Sequence, residues 1–140
     1  MSRSKLALLA RGASLGLGVL VAACTTTPTP PAATPEEQAH YLQFAGPPIE
    51  TFTYLEHYYS WKPLGARQLV LWTDIDDAYL ITVWPACVGL QYAFRIRVTS
   101  ESHLVTRRID AVTFRDQHCY ITQIRPIDYR AMRQQFHTLP

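Results

Sequence analysis

The histidines of this chain are the first residues to consider for metal or acid–base chemistry. They lie at five scattered positions: His40, His57, His103, His118 and His137. A zinc site needs three or four converging ligands, and pairing His57 with His118 would supply only two. The sequence also contains no Gly-x-Ser-x-Gly, no His-Glu-x-x-His, no glycine-rich phosphate loop and no dinucleotide fingerprint. We therefore predict no catalytic residue, no metal site and no cofactor.

Two groups of aspartates could also carry chemistry. Asp74, Asp76 and Asp77 resemble a calcium loop, but the central glycine and the distant glutamate of an EF-hand are missing. We interpret this cluster as a solvated hairpin turn. Asp110 stands just before a predicted strand, where aspartate commonly fixes a turn by hydrogen bonds to nearby backbone. The alternative for Asp110 is a buried acid with a functional role.

Cys24 carries the most specific chemical signal, because it ends the sequence Val21-Ala22-Ala23-Cys24. This pattern resembles the lipobox of bacterial lipoproteins, in which the cysteine thiol receives a diacylglycerol and the chain is cut before the cysteine. An uncharged run over 13–23 precedes it and comes after a basic region of Arg3, Lys5 and Arg11. We predict a signal peptide over 1–23 and a membrane-lipid anchor at Cys24, with an ordinary secretory signal as the alternative.

The residues after Cys24 indicate in which membrane the anchor lies and how the folded domain is attached to it. Thr25 stands where inner-membrane lipoproteins often have aspartate, so we expect the outer membrane, with the protein facing the periplasm. Four prolines between Thr25 and Gln38 disfavour helix and sheet. We assign a lipidated cysteine and a Pro/Thr-rich tether without a fold to 24–48, and a single β-rich domain to 49–140.

The charge balance argues against nucleic-acid binding. The precursor has a net charge of +2, from 13 basic and 11 acidic side chains. Removal of Arg3, Lys5 and Arg11 with the signal peptide leaves a mature chain with a net charge of −1. Because nucleic-acid affinity depends on neutralising phosphates with lysine and arginine, we expect no nucleic-acid partner.

Cys87 and Cys119 are the two cysteines that remain once Cys24 carries lipid. An even pair in a small exported domain is most simply a disulfide. A metal pair and a redox pair are the rival interpretations, but both favour a close Cys-x-x-Cys spacing that this pair lacks. A bridge that closes a loop of about 32 residues contributes roughly 3–4 kcal/mol in the chain-entropy model.

Arginines supply one candidate binding surface. Arg95 and Arg97 share the solvent-facing side of a predicted half-buried strand, whose opposite, buried side would consist of Tyr92, Phe94, Ile96 and Val98. With Arg115 and Arg125 on neighbouring strands, they could form a basic stripe that meets lipid headgroups or glycan phosphates. The small net charge of the mature chain limits how much binding this stripe could support.

Aromatic side chains supply a second candidate binding surface, on the predicted strand over 50–61. Glu56 and Ser60 indicate that its even-numbered face points outward, which would leave Phe52, Tyr54 and Tyr58 exposed together. Aromatic residues often anchor interfaces. A covering segment, or a bulge near Glu56 that swaps the two faces, would instead bury them.

Short apolar runs and alternating patterns predict the elements that would position these residues. Residues 68–73 and 78–84 are predicted to pair as a hairpin across the aspartate turn. The other predicted strands cover 50–61, 92–98, 103–107, 111–115 and 119–125, and a short helical segment covers 128–136. The predicted fold class is mainly β: a small antiparallel β-barrel or sandwich of six to seven strands with a short C-terminal helical segment.

Several short motifs resemble a family of small exported lipoproteins of proteobacteria whose domain has no known function. They are Ser60-Trp61, Leu71-Trp72, Tyr79-Leu80-Ile81, Cys87-x-x-Leu90, Asp110-x-Val112 and Cys119-x-Ile121. Some family members carry another cysteine shortly before the aspartate, where this chain has Arg107-Arg108. The resemblance covers roughly residues 49–127. It implies a fold and an exported location but no activity.

The sequence leaves two classes of function open. The first is a non-catalytic envelope lipoprotein whose β domain binds an envelope protein or a cell-wall partner. The second is a small periplasmic enzyme or ligand carrier that uses Asp110 or the histidines. A deep pocket with convergent polar groups would favour the second class, and a solid barrel with an exposed aromatic patch would favour the first.

Overall fold

The computed structural model describes residues 32–137. The predicted signal peptide, Cys24 with its lipid and the first part of the tether lie outside the described residues. Within 32–137, neither helix has the length and apolar character that a membrane crossing requires.

Eight β-strands and two α-helices make up the described part of the chain. In chain order they are α1 (Pro35–Gln43), β1 (Thr51–Thr53), β2 (Ser60–Pro63), β3 (Gln68–Trp72), β4 (Ala78–Val83), β5 (Arg97–Val98), β6 (Leu104–Thr106), β7 (Ala111–Phe114), β8 (Gln117–Ile127) and α2 (Tyr129–His137). Six strands form a half-barrel in the order β2-β3-β4-β8-β7-β5, and β1 pairs separately with β6. Every pairing is antiparallel. The predicted mainly β, antiparallel fold with a short C-terminal helix is confirmed.

The hairpin of β3 and β4 lies at the centre of the half-barrel and forms as predicted. The aspartate cluster makes its turn: the Asp74 carboxylate accepts from the Ile75 N–H at 2.6 Å, and the Thr73 N–H donates to the Asp77 carbonyl at 2.9 Å. Both strands are apolar on both faces because the sheet is covered on both sides.

The two faces of the sheet hold two separate hydrophobic cores. The barrel core fills the concave side together with β1 and β6 and consists of Phe52, Tyr54, Leu69, Leu71, Ile81, Val83, Cys87, Leu90, Ala93, Ile96, Val105, Val112, Phe114, Cys119, Ile121 and Ile124. The helical core joins α1 and α2 to the opposite face and consists of Tyr41, Leu64, Val70, Trp72, Ala78, Leu80, Ile127 and Met132.

A β-bulge in β8 keeps its side chains in step with the barrel core. Thr82 pairs with Gln123 while Val83 pairs with Ile121, so one extra residue, Thr122, is inserted in β8. The extra residue reverses the alternation of faces. Ile121 and Ile124 therefore both point into the barrel core although they are three residues apart.

The disulfide between Cys87 and Cys119 is present, with their Cα atoms 5.9 Å apart. It ties the segment after β4 to β8, and both cysteines are buried in the barrel core. The prediction of a bridge is confirmed, which leaves no free thiol at either position for a metal or a redox role.

The predicted single strand over 50–61 is wrong, because the chain breaks in its middle. Glu56 has a φ of +64°, in the left-handed region that a strand cannot contain. The two halves then pair with different partners: β1 with β6, and β2 with β3. The break places the residues of β1 over the open side of the barrel core.

The predicted strand over 92–98 is also wrong in most of its length. Residues Leu90–Tyr92 form a short 3-10 turn that comes after Gly89 at a φ of +83°, and only Arg97 and Val98 are in a strand. Tyr92 and Phe94, which the alternating pattern placed in the core, are 55% and 71% exposed. Ile96 is buried as expected.

The folded part begins earlier than the predicted boundary at residue 49. The Thr34 hydroxyl caps α1 by accepting from the Glu37 N–H at 3.2 Å. Pro35 lies in the first turn, where a missing N–H costs nothing. The absence of a fold predicted for 24–48 is therefore wrong from Pro35 onward, and α1 supplies Tyr41 to the helical core.

Candidate functional site

The predicted aromatic face of Phe52, Tyr54 and Tyr58 is not a surface. Phe52 and Tyr54 are only 5% and 4% exposed, and the Phe52 ring stacks on Tyr79 with the centroids 4.3 Å apart. Tyr58 is half-buried and its hydroxyl donates to the Ile96 carbonyl at 3.2 Å. The break at Glu56 separates β1 from β2, so Glu56 and Ser60 do not indicate the direction of Phe52 and Tyr54. The prediction of an exposed interface there is wrong.

Two of the four arginines of the predicted stripe donate to backbone carbonyls. Arg125 belongs to the fold, because its guanidinium donates to the carbonyls of Ala45 and Gly46 at 2.7 Å each. Arg115 donates to the Tyr92 carbonyl at 3.2 Å. Arg95 and Arg97 are exposed, and a binding role for these two stays a prediction.

Asp110 is buried and fixes the turn between β6 and β7. Its carboxylate accepts from the Thr106 N–H at 2.7 Å and from the Thr99 hydroxyl at 3.1 Å. The Thr99 hydroxyl in turn accepts from the Ala111 N–H at 2.8 Å. These bonds join three segments of the chain, which is the turn-fixing role that its position suggested.

The histidines and the aspartate cluster do not converge on a metal site within residues 32–137. Asp76 forms ion pairs with Arg130, at 3.1 Å, and with Arg133. The aspartate turn is therefore connected to α2. The function of this cluster in the fold is to hold the helix against the β3–β4 hairpin.

A surface cavity of about 620 Å³ lies where β2, the segment after the 3-10 turn and the two helices meet. Its lining is dominated by aromatic side chains. We call it the aromatic groove and define it by Tyr41, Tyr59, Ser60, Trp61, Lys62, Pro63, Trp72, Ile75, Gln91, Ala93, Phe94, Tyr129 and Arg133. Its volume lies within the roughly 300–1,000 Å³ that ligand sites usually have.

The aromatic groove has a buried floor and an exposed rim. Tyr41 and Trp72 form the floor, and their rings meet edge to face with centroids 6.1 Å apart. Trp72 meets Tyr129 in the same way at 5.4 Å. Tyr59 and Phe94 on the rim are largely exposed to solvent. The floor is thus fixed by packing, while the rim offers open ring faces.

Both cations of the aromatic groove already have anionic partners. Lys62 pairs with Glu37 on α1, and Arg133 pairs with Asp76. The Arg133 guanidinium also lies 5.3 Å from the centre of the Tyr129 ring. The site therefore presents little net charge to a ligand.

Burial also changes the titration of the groove floor. It raises the pKa of the Tyr41 phenol to about 12, with smaller contributions from Tyr129 and Glu37. Tyr41 is therefore a neutral hydroxyl at physiological pH.

Three buried polar atoms of the groove residues have no hydrogen-bond partner within residues 32–137. They are Trp72 Nε1, Gln91 Oε1 and Arg133 Nε. A buried polar atom without a partner costs about 1–3 kcal/mol. Such atoms are uncommon in folded proteins, and these three belong to residues that line one cavity.

A second cavity, of about 410 Å³, adjoins the aromatic groove and shares Tyr41, Tyr129 and Arg133 with it. His40 lines this second cavity between Phe44 and Phe136, with ring centroids 5.3 and 4.9 Å away. Its Nε2 is the fourth buried polar atom without a partner in the described part of the chain. The four residues that carry such atoms thus line two adjoining cavities.

The chemistry of the groove lining suits binding. Its polar side chains are Ser60, Lys62, Gln91, Arg133 and the tyrosine hydroxyls. Among the described lining residues there is neither a carboxylate nor an imidazole to act as a general base for Ser60. The arrangement can stack on a ligand and exchange hydrogen bonds with it.

Sequence reasoning missed this site because its residues come from five separated segments. Tyr41 lies on α1, which was predicted to be tether, and Phe94 was assigned to the core. One residue could have indicated the site. Trp72 lies on the face of β3 opposite to Leu69 and Leu71, and this strand is apolar on both faces. An indole N–H in such a place needs a partner, which points to a second, partly polar layer.

Residues 5–139 of this chain match a family model that is described as a family of unknown function, DUF6491. The match covers nearly the whole sequence, so the chain belongs to this family. Searches of curated proteins and of solved structures give no significant match.

Proposed function

We propose that the protein is a non-catalytic envelope lipoprotein that binds an envelope partner in the aromatic groove. The anchor is the acylated Cys24, and the folded domain faces the periplasm from the outer membrane. The observation that carries the proposal is the groove itself: a cavity of about 620 Å³ that is lined by aromatic side chains, of which Tyr59 and Phe94 are largely exposed.

The packing of the rest of the domain supports a rigid scaffold for this groove. The barrel core is filled by side chains and closed by the Cys87–Cys119 bridge. Asp110 is the residue on which an enzymatic alternative depends. It does not line the groove, and its carboxylate already accepts hydrogen bonds from the Thr99 hydroxyl and the Thr106 N–H. A binding role therefore has more support than a catalytic one.

Site-specific photo-cross-linking in cells tests the binding role. A photoreactive residue replaces Phe94 on the groove rim, and a matched variant carries it at Trp84, an exposed aromatic position outside the groove. We expect the Phe94 variant to form a discrete adduct or to remain with the detergent-washed cell wall, and the Trp84 variant to do neither. Equal labelling at the two positions, or none at Phe94, would contradict the proposal.

Substitution of the anchor tests the location. The Cys24→Ala protein should leave the membrane fraction, because acylation at Cys24 is the attachment that we propose. The unchanged protein should fractionate with the outer membrane on a density gradient. A Cys24→Ala protein that still pellets with membranes after a high-salt wash would show that the lipoprotein assignment is wrong.

A further inference from the structure

We infer that the aromatic groove is the docking site of this chain's own residues 25–31, which cover it until a partner displaces them. We call residues 25–31 the proline segment; they lie outside the described part of the chain. The inference names what regulates access to the groove, and in that respect it rests on the proposed binding function. Three features carry it: the place where the described chain begins, the composition of the proline segment and the chemistry of the groove.

The described chain begins beside the groove. Ala33 is half-buried against the helical core, and Thr34 lines the second cavity. That cavity shares Tyr41, Tyr129 and Arg133 with the aromatic groove. The proline segment is therefore joined to the domain at the border of the two adjoining cavities.

The proline segment is long enough to reach the groove. Tyr41, which lines both cavities, comes seven residues after Thr34, a rise of about 10 Å along α1 at about 1.5 Å per residue. Seven residues in the polyproline II conformation would span roughly 22 Å, at about 3.1 Å each. The segment can therefore cross the second cavity and extend along the aromatic groove.

The composition of the proline segment suits an aromatic surface. Pro28, Pro30 and Pro31 make up three of its seven residues, and the other four are threonines. Proline-rich segments bind in aromatic-lined grooves because their rings are apolar and the polyproline II conformation is formed at a small entropy cost. This conformation has no internal hydrogen bonds, so its carbonyls are available as acceptors.

The groove offers what such a segment requires. Tyr59 and Phe94 expose most of their rings there, and Trp61 is half-buried in its wall. Pyrrolidine rings can pack against these aromatic faces and bury apolar surface. The hydroxyls of Tyr59 and Ser60, both on exposed residues that line the groove, can donate to backbone carbonyls of the segment.

The charges of the two surfaces also agree. The proline segment carries no charged side chain. In the groove, Lys62 is paired with Glu37, and Arg133 is paired with Asp76. An uncharged segment leaves both ion pairs intact, whereas an anionic occupant would have to break one of them or lie beside its carboxylate.

Covalent attachment favours this segment over a free ligand of the same chemistry. A short flexible connection gives an attached segment a local concentration in the millimolar range. A contact with a Kd of about 1 mM is then occupied about half of the time within one chain. A free ligand of equal affinity would have to be present at millimolar concentration to do the same.

Photo-cross-linking within the purified full chain in detergent tests the inference. A photoreactive residue replaces Thr29, in the middle of the proline segment, and mass spectrometry maps the positions to which it attaches. We expect attachment within one chain, at Tyr59, Phe94 and the residues beside them in the groove. Attachment spread over the surface, attachment between two chains, or none in the groove would overturn the inference.

A proline variant distinguishes docking from mere closeness. Pro28→Ser, Pro30→Ser and Pro31→Ser together keep the length and the attachment of the segment but remove its rings. If the contact weakens about tenfold, the docked fraction falls from about one half to about one tenth, so the yield in the groove should fall about fivefold. An unchanged yield would show that attachment to the domain alone places the segment there, and the inference would be wrong.

A groove variant tests the other side of the contact. Phe94→Ala removes an exposed ring and should lower the yield at Tyr59. Tyr92→Ala removes an exposed aromatic side chain two residues away that does not line the groove, and it should leave the yield unchanged. Both variants should keep the thermal midpoint of the parent. Equal yields from Phe94→Ala and the parent would contradict docking in the groove.

Cross-linking from Phe94 in cells separates this inference from the function on which it rests. If Thr29 attaches nowhere in the groove while Phe94 forms a partner adduct, the inference is wrong and the binding function stands. If Phe94 attaches only to residues 25–31 of its own chain, the docking stands and the partner function is wrong. If neither position gives an adduct, both are wrong.

Discussion

The two faces of the half-barrel sheet are built from the same strands but are covered by different parts of the chain. The barrel core on one face is filled with aliphatic side chains, closed by β1 and β6, and bridged by Cys87 and Cys119. The helical core on the other face is smaller, and aromatic rings and unpaired polar atoms surround its edge. The first face is a closed core, while the second borders the cavity in which we propose that a partner binds.

The polar atoms show this contrast most directly. On the barrel side, the buried Asp110 carboxylate has donors from both Thr99 and Thr106. On the helical side, Trp72, Gln91 and Arg133 each keep an atom that is unpaired within residues 32–137. The described part of the chain therefore pairs the buried Asp110 carboxylate on one face and leaves buried polar atoms unpaired on the other.

The largest effect on stability should come from removal of the disulfide on the barrel side. Loss of the disulfide in a Cys87→Ser, Cys119→Ser double variant removes a constraint across 32 residues of sequence. We expect a loss of about 3–4 kcal/mol and a fall of roughly 10–20 °C in the thermal midpoint. Differential scanning calorimetry of the oxidised parent, the reduced parent and the variant measures this, and an unchanged midpoint would contradict the assigned role of the bridge.

A smaller loss should result from removal of the Asp110 carboxylate. Asp110→Ala leaves the Thr106 N–H without its buried acceptor, and we expect a loss of about 1–3 kcal/mol. Urea unfolding measures it, with the exposed Asp116→Ala as the matched control. If Asp110→Ala were as stable as the parent, the turn-fixing role of this carboxylate would be refuted.

Alkaline pH should lower the stability of the protein in part through Tyr41, which lies in the helical core. Burial raises the pKa of Tyr41 to about 12, above the value of about 10 for an unfolded tyrosine. The folded state therefore holds one proton more than the unfolded state between these values, so stability falls as pH rises from about 10 to about 12. Tyr41→Phe should remove up to one proton from that dependence in urea unfolding at several pH values.

The contribution of other tyrosines provides the control for this titration. Burial also raises the pKa of Tyr54 and Tyr79 on the barrel side, so part of the alkaline dependence should persist in Tyr41→Phe. A slope identical to that of the parent would show that Tyr41 does not titrate in this range.

The smallest effect on stability should come from the groove rim. Phe94 is 71% exposed, so Phe94→Ala should change the free energy of unfolding by no more than about 0.5 kcal/mol. Trp84→Ala, an exposed aromatic outside the groove, provides the comparison. A large loss in Phe94→Ala alone would place the ring in the core and remove it from the site.

The sequence predicted those parts of the fold whose local signals agree with their tertiary partners. The β3–β4 hairpin has two apolar runs and a turn of aspartates, and the helical segment predicted over 128–136 corresponds to α2, although β8 continues to Ile127, beyond the predicted end at residue 125. The prediction of a strand over 92–98 was wrong because the alternating pattern included Tyr92 and Phe94, whose aromatic side chains are exposed. Alternation records which residues are apolar, not which are buried.

The site could not be predicted because it depends on long-range packing. Tyr41 reaches the groove through α1, whose helix was hidden by the neighbouring prolines, although Thr34 and Pro35 form a good N-terminal cap. The direction of Phe52 and Tyr54 could not be inferred from Ser60, because the left-handed residue Glu56 separates their strand from the next one. The convergence of five segments produces no periodic pattern in the sequence, and neither does a change of backbone conformation at one residue.

Photo-cross-linking in cells tests the central contrast most directly. A photoreactive residue replaces Phe94 on the groove rim, or Trp84 or Tyr120, which are exposed aromatic residues outside the groove. We expect a discrete adduct from the Phe94 variant and none from the other two. Adducts at Trp84 or Tyr120 with none at Phe94 would contradict the proposal that the partner binds in the aromatic groove.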